Sequence, residues 1–158
     1  MLTPGTAAPP FELADNNGRT VRLSDFAGSW VFLWWYPEAD SSGCSIQAAS
    51  LGRATAAIEE AGVRILGASF NTVDRNDQFA CNKSLDFPLL SDPDMTAGKA
   101  YDVVRDPDEP YADKPRRVSY LIDPKGTIAA AEDVDHDWLP TYGEHVLELV
   151  REHLRTAE

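Results

Sequence analysis

The sequence predicts an α/β fold in which helices flank a central mixed sheet and a β-hairpin leads in at the amino terminus. Three observations carry this expectation. Apolar runs at residues 30–36, 63–69 and 118–122 have the length of buried strands and are too short for typical helices. Stretches with apolar residues every three or four positions lie between them. Turn residues punctuate the boundaries, as at Asn16, Asn17 and Gly18, at Gly62, and at Pro124 to Gly126.

Taken in order, Phe11 and Leu13 alternate with polar residues, the Asn-Asn-Gly turn follows, and Val21 and Leu23 resume the alternation, which predicts the hairpin. Ser24 to Gly28 is a short connector into the first buried strand, which Pro37 ends. Residues 45–61 place Leu51, Ala54, Ile58 and Ala61 on one face before Gly62, an amphipathic helix with a glycine stop. A second strand at 63–69, a helix at 74–83, a short extended piece at 87–90 and a helix at 95–101 come next. Residues 105–115, rich in Asp and Pro, read as a surface loop. A third strand at 118–122 turns into an extended segment at 127–131, and a last helix at 141–154 groups Val146, Leu149 and Val150. No internal repeat or low-complexity tract occurs.

A chain of 158 residues with 43% hydrophobic composition fits one domain spanning 1–158. Its 14 Lys and Arg against 26 Asp and Glu give a formal charge of −12, which repels phosphate backbones and anionic lipid, so neither nucleic acid nor membrane is an expected partner. The first ten residues hold three prolines and no basic residue, unlike a signal peptide or a membrane span, and a cytoplasmic location is the expectation. Two cysteines are too few for a disulfide framework or a four-thiolate zinc site. No metal or cofactor is expected, and the cysteines are left as packing residues or redox chemistry.

Cys44 follows Ser41, Ser42 and Gly43 and precedes the amphipathic run, so it is expected in the first turn of that helix. The free N–H groups and positive dipole end there favour a thiolate over a thiol, whose ordinary pKa is about 8.5. Lying two turns before Leu51, the sulfur is expected to face a pocket at the rim of the core. Position alone equally allows an inert, buried side chain.

Residues 36–44, Tyr-Pro-Glu-Ala-Asp-Ser-Ser-Gly-Cys, resemble the peroxiredoxin signature of proline, three residues, threonine or serine, two residues and cysteine. FPLLSD at 87–92 and RVSYLID at 117–123 resemble two further segments of the bacterioferritin comigratory protein branch of that family, also called PrxQ. The resemblance runs in order from about Leu2 to His153. It implies a thioredoxin-like fold and a thiol peroxidase that reduces hydrogen peroxide and organic hydroperoxides without a cofactor. In such enzymes the cysteine, here Cys44, attacks the terminal peroxide oxygen and becomes a sulfenic acid. Ser41 would orient the peroxide, Arg117 would hold the thiolate and polarise the peroxide, and Pro37 would shield the sulfur. Read from position alone, Ser41 is a helix cap and Pro37 a strand terminator. Arg116 is expected on the opposite side of its strand from Arg117. Gln47 is expected as a polar surface residue rather than a member of this network.

The sequence departs from the family pattern in three places. Ser41 replaces the commoner threonine, Trp34 stands where an aliphatic or phenylalanine side chain is usual, and Ala49 occupies the position where many relatives carry the resolving cysteine. The resemblance then implies that Cys81, in the following helix, resolves Cys44 as an intramolecular disulfide. Rotated about 100° beyond Ala80, Cys81 is expected to face away from the core. Bridging would need local unwinding around both cysteines. Thioredoxin or another dithiol is the implied reductant, and a monomer is favoured over a dimer.

Other chemistries fit less well. A thioredoxin-type dithiol is missing, since Ser45, Ile46 and Gln47 follow Cys44; a cysteine phosphatase would want an arginine where Ser50 stands. A cysteine hydrolase needs a histidine base, and nothing in the sequence brings His136, His145 or His153 to Cys44. Asp133, Asp135, His136 and Asp137 read as a solvated acidic loop. The rival from another class is a peroxide-responsive sensor or binding module that uses the same cysteine without efficient turnover.

Overall fold

The computed structural model describes residues 1–157. The hairpin is formed by β1 (Glu12–Ala14) and β2 (Thr20–Arg22), paired antiparallel with Leu13 opposite Val21. A 3₁₀ turn at Leu23–Phe26 leads to β3 (Trp30–Trp35), followed by α1 (Ser42–Glu60), β4 (Val63–Ser69), α2 (Val73–Lys83), β5 (Leu89–Ser91) and α3 (Thr96–Ala100). Then come β6 (Val118–Ile122), β7 (Ile128–Asp133), a 3₁₀ helix at His136–Thr141 and α4 (Tyr142–Thr156). The strands form one seven-stranded sheet in the order β2-β1-β5-β4-β3-β6-β7. β3, β4 and β5 run parallel, and β1, β6 and β7 join antiparallel, so the sheet is mixed as expected.

Both faces of the sheet are covered, which explains why β3 reads as an unbroken apolar run. Phe32, Trp34 and Tyr36 pack on one side with Leu51 and Ile58 of α1, Phe79 of α2 and Val146 and Val150 of α4. Val31, Leu33 and Trp35 alternate to the other side with Leu66, Tyr101 and Tyr120. The Trp34 and Trp35 side chains are therefore core residues, at 0% and 1% exposure. Trp34 fits because its cross-strand partner is Gly67, where an added Cβ would lie 3.2 Å from the indole nitrogen and 2.6 Å from Leu89 Cδ2.

Two contacts fix the helices that carry the site. Gly143 lets α4 touch α1 backbone to backbone: a Cβ there would sit 2.1 Å from the Ser50 carbonyl oxygen, and the Gly143 N–H donates to Ser50 Oγ at 2.8 Å. Asn76 of α2 is fully buried and uses all its capacity, accepting from Tyr36 Oη and Ser69 Oγ and donating to the Leu90 carbonyl and Ser91 Oγ. It thereby ties together the carboxyl ends of β3, β4 and β5. Within FPLLSD, the buried Asp92 accepts N–H groups of Ala97 and Gly98 at 3.2 and 2.7 Å, anchoring α3. Among the described residues, no helix is long and apolar enough to cross a membrane.

Asp133, Asp135, His136 and Asp137 are solvent-exposed as the composition suggested, but they belong to the end of β7 and the start of a 3₁₀ helix rather than to a loop. Asp135 caps the 3₁₀ helix by accepting from the Asp137 N–H at 3.0 Å, and Leu139 of that helix is buried in the core.

Candidate active site

Pro37 leaves β3 and Asp40 turns the chain in a left-handed conformation with φ 63°, which an aspartate tolerates better than most residues. That turn sets Ser41 as the N-cap of α1, with its Oγ accepting from the Cys44 N–H at 3.3 Å. Cys44 is thus in the first turn, as its position predicted. Its backbone N–H serves the cap, and its side chain points inward on the face shared with Ala48 and Leu51.

The opposite wall comes from the residues just before β6. Arg116 and Arg117 both line the cavity; Arg116 pairs with Glu109, whereas Arg117 is buried, 8% exposed, and reaches the thiol. Arg117 Nη1 donates to Cys44 Sγ at 3.4 Å and to Gln47 Oε1 at 2.6 Å. Gln47 is a correction to the sequence reading: it is fully buried one turn after Cys44, with its carbonyl toward a guanidinium that has only donors. Its amide nitrogen has no hydrogen-bond partner among the described residues.

Glu38 organises the loop around this pair. It accepts from Arg75 and Asn71 at 2.9 Å each and pairs with Lys114, joining the loop to α2 and to residues 105–115. Burial raises its carboxyl, but the hydrogen bonds from Lys114 and Asn71 outweigh that, and its pKa falls below the usual value. The bland expectation for 105–115, a surface loop, gains content here, because Arg105, Tyr111 and Lys114 wall the site.

A cavity of about 540 Å³ opens above the thiol, lined by Pro37, Ser41, Gly43, Arg117 and His136 among others. Cys44 itself has 0% exposure and is not part of the wall, so the sulfur lies behind this lining rather than at a pocket rim. His136 joins the wall although no sequence signal pointed there. Its Cε1 and Arg117 Nη2 each lie 3.1 Å from where a Cβ on Gly43 would be.

The second cysteine, Cys81, is exposed on α2 and both cysteines are free thiols. Its neighbour Asn82 donates to Asp40 Oδ1 at 3.1 Å, so the end of α2 touches the loop that carries Ser41 and Cys44. Of the residues singled out in the sequence, the fold gathers Pro37, Ser41, Cys44 and Arg117 at one point and holds Cys81 on the adjoining helix.

Comparison with known proteins agrees with this architecture. The AhpC/TSA family profile matches residues 4–131. Peroxiredoxin Bcp of Escherichia coli K12 is 36% identical, covering 96% of this chain and 97% of its own. The chloroplastic peroxiredoxin Q of Sedum lineare is 32% identical over 80% of this chain and 67% of its own. Among solved structures, a mutant PrxQ of Xylella fastidiosa superposes with a TM-score of 0.88 at 25% identity, covering 97% of this chain and 98% of its own. The bacterioferritin comigratory protein of Xanthomonas campestris gives 0.82 at 25% identity, with 91% and 92% covered. The fold is therefore the thioredoxin-like one of peroxiredoxins, and the chain belongs to the AhpC/TSA family as a peroxiredoxin of the Bcp/PrxQ branch, a thiol peroxidase.

Proposed function

We propose that this peroxiredoxin reduces hydroperoxides through Cys44, with Arg117 as the charge-stabilising partner, Ser41 orienting the peroxide, Pro37 screening the sulfur and Cys81 resolving the oxidised product. The observation that supports this most directly is the Arg117 Nη1 to Cys44 Sγ contact at 3.4 Å in the first turn of α1. The attacking species is the thiolate, and its charge faces both the guanidinium and the amino end of the helix.

In the first step an S–O bond forms as the O–O bond breaks. The hydroxyl stays on sulfur as sulfenic acid, and the departing alkoxide takes a proton to leave as alcohol, or as water from hydrogen peroxide. Negative charge passes from sulfur to the leaving oxygen, and donors fixed beforehand by Gln47 meet it at either end. The Cys81 thiol then condenses with the sulfenic acid, expelling water and forming the disulfide. Thioredoxin or a comparable dithiol reduces that bond. The chain works as a monomer in the cytoplasm on this reading. The Xanthomonas campestris relative has been described in alkyl peroxide reduction with trapped intermediate and ligand complexes, which favours organic hydroperoxides as well as hydrogen peroxide for this chain.

Intact mass under non-reducing conditions after one equivalent of peroxide tests the scheme. Wild type should lose two hydrogens, Cys81→Ser should gain one oxygen, and Cys44→Ser should show no fast reaction. An oxidised wild type without an internal bridge removes Cys81 from the cycle and leaves Cys44 in place. Repeated turnover with a dithiol separates the enzyme from a sensor, which would stop after one equivalent.

A further inference from the structure

We propose that His136 is a further catalytic residue of this chain, the one that donates a proton to the departing peroxide oxygen as the O–O bond breaks; the inference rests on the peroxidase reading above. Expelling an alkoxide, or hydroxide from hydrogen peroxide, is costly unless a proton arrives as the bond cleaves. The groups already assigned do not deliver it. The Arg117 guanidinium stabilises charge but does not give up its own proton. Ser41 Oγ is engaged with the Cys44 N–H, and Glu38 is an acceptor occupied by Arg75, Asn71 and Lys114.

His136 supplies what they lack. It lines the cavity and meets solvent. Its Cε1 and Arg117 Nη2 each lie 3.1 Å from where a Cβ on Gly43 would be, one residue before Cys44. Arg117 thus turns Nη1 to the sulfur and Nη2 to the imidazole side. A peroxide under attack has one oxygen at the sulfur and the leaving oxygen farther out, toward the cavity, where these two side chains meet. His145 and His153 bond to Glu132 and the Leu149 carbonyl, whereas neither ring nitrogen of His136 has a hydrogen-bond partner among the described residues.

The backbone holds the imidazole in register with Arg117. The Val134 N–H donates to the Arg117 carbonyl at 2.9 Å, Asp135 caps the 3₁₀ helix that His136 begins, and the buried Leu139 anchors that helix beside Gly43. The charged and titratable groups around the ring are Arg117 and Asp133 on the cavity wall, Asp135 and Asp137 on its own segment, and Cys44 on α1, whose first turn carries no acidic residue. In the step, both electrons of the O–O bond go to the departing oxygen and the imidazolium proton follows them. Cys44 is left as sulfenic acid and His136 neutral, to be reprotonated from solvent, an exchange that histidine makes near neutral pH.

The test is a pair of oxidants that differ in leaving group: a tertiary alkyl hydroperoxide, which expels an alkoxide, and a peroxycarboxylic acid, which expels a carboxylate and needs no proton. In stopped-flow rates of Cys44 oxidation at one pH, His136→Gln should be about 100-fold slower than wild type with the hydroperoxide and within about 2-fold of it with the peracid. Across pH, the wild-type rate with the hydroperoxide should rise as the thiolate forms and fall as the imidazolium is lost, and the variant should lack the fall. The side chain is exposed, so its replacement leaves the core intact. Equal losses with both oxidants, as from a displaced Arg117, no loss with either, or a descending limb retained in the variant overturns the proposal and leaves the peroxidase reading standing. A wild type that reacts with neither oxidant takes the peroxidase reading down with it.

Discussion

Arg117 is held by Gln47: the guanidinium nitrogen that reaches Cys44 Sγ at 3.4 Å donates to Gln47 Oε1 at 2.6 Å. A long cationic side chain has many rotamers, and a fixed acceptor one turn along α1 restricts it to the one that serves the thiol. Removing a charge-stabilising donor from a sheltered site costs about 100-fold or more in rate, which is the expected loss in kcat/KM for Arg117→Ala. Gln47→Ala should cost about 10-fold, the equivalent of one hydrogen bond to a charged group. If Gln47 acts through Arg117, the double variant is no slower than Arg117→Ala alone. Stopped-flow rates of Cys44 oxidation read all three, and additive losses would show that Gln47 has a separate, merely structural part.

Gly43 controls the same guanidinium from the other side. A Cβ at this position would lie 3.1 Å from both Arg117 Nη2 and His136 Cε1, closer than ordinary contact. Gly43→Ala should therefore displace Arg117 by a fraction of an ångström and lower kcat/KM by about 10-fold. Gly52, farther along α1, is the control, since its added Cβ meets only Leu85 at 3.9 Å. Gly52→Ala should keep full activity and gain about 0.5–1 kcal/mol in urea unfolding. Equal activity in the two variants would show that the Gly43 contact is slack.

The strands, both long helices and the hairpin are legible in the sequence because their signals are local. Period-two alternation, helical spacing and glycine stops depend on near neighbours. The exposure of Cys81 follows likewise from its place on the helix wheel. What escapes a sequence reading is set by distant partners. Gln47 reads as a surface residue because glutamine is rarely buried without a partner, and its partner is 70 positions away. His136 lies in a run too acidic to suggest a packed element, although Asp135 followed by Asp137 is the pattern of a cap. The fit of Trp34 depends on Gly67 across the sheet, a pairing that only register reveals. Full burial of the thiol is out of reach for the same reason, since the lining comes from residues 105–117 and the segment before α4.

Asp92 gives the fold a titration that can be read directly. Burial pushes its pKa up to about 6, against the opposing N–H bonds from Gly98 and Ala97. The folded state thus holds this proton more tightly than an unfolded chain, where aspartate titrates near about 3.9. The stabilising contribution is fully present below about pH 4 and is lost as pH rises through about 6. Glu38 runs the other way, since its lowered pKa gives stability that is lost as pH falls below its ordinary value. The difference between wild type and Asp92→Asn isolates the first effect. Urea midpoints followed across this range should lose the Asp92 component of their pH dependence in the variant, and an unchanged slope would assign that dependence elsewhere.

If Cys81 resolves the sulfenic acid as proposed, it has to reach Cys44. A disulfide requires the two sulfurs to come within about 2 Å, yet one thiol is buried behind the cavity lining and the other faces solvent. Forming that bridge would require both helix ends to open. The Asn82 Nδ2 to Asp40 Oδ1 bond at 3.1 Å fastens them together, joining the residue after Cys81 to the turn before Ser41. It touches neither sulfur and plays no part in the first chemical step. Asn82→Ala should thus leave the rate of sulfenic acid formation unaltered while speeding disulfide formation by about 2- to 10-fold, the weight of one net hydrogen bond. Tryptophan fluorescence in rapid mixing, with Cys81→Ser as the reference that lacks the second phase, resolves the two steps. A second phase that is unchanged or slower in Asn82→Ala would mean that the helix end opens by a route in which this bond is not broken.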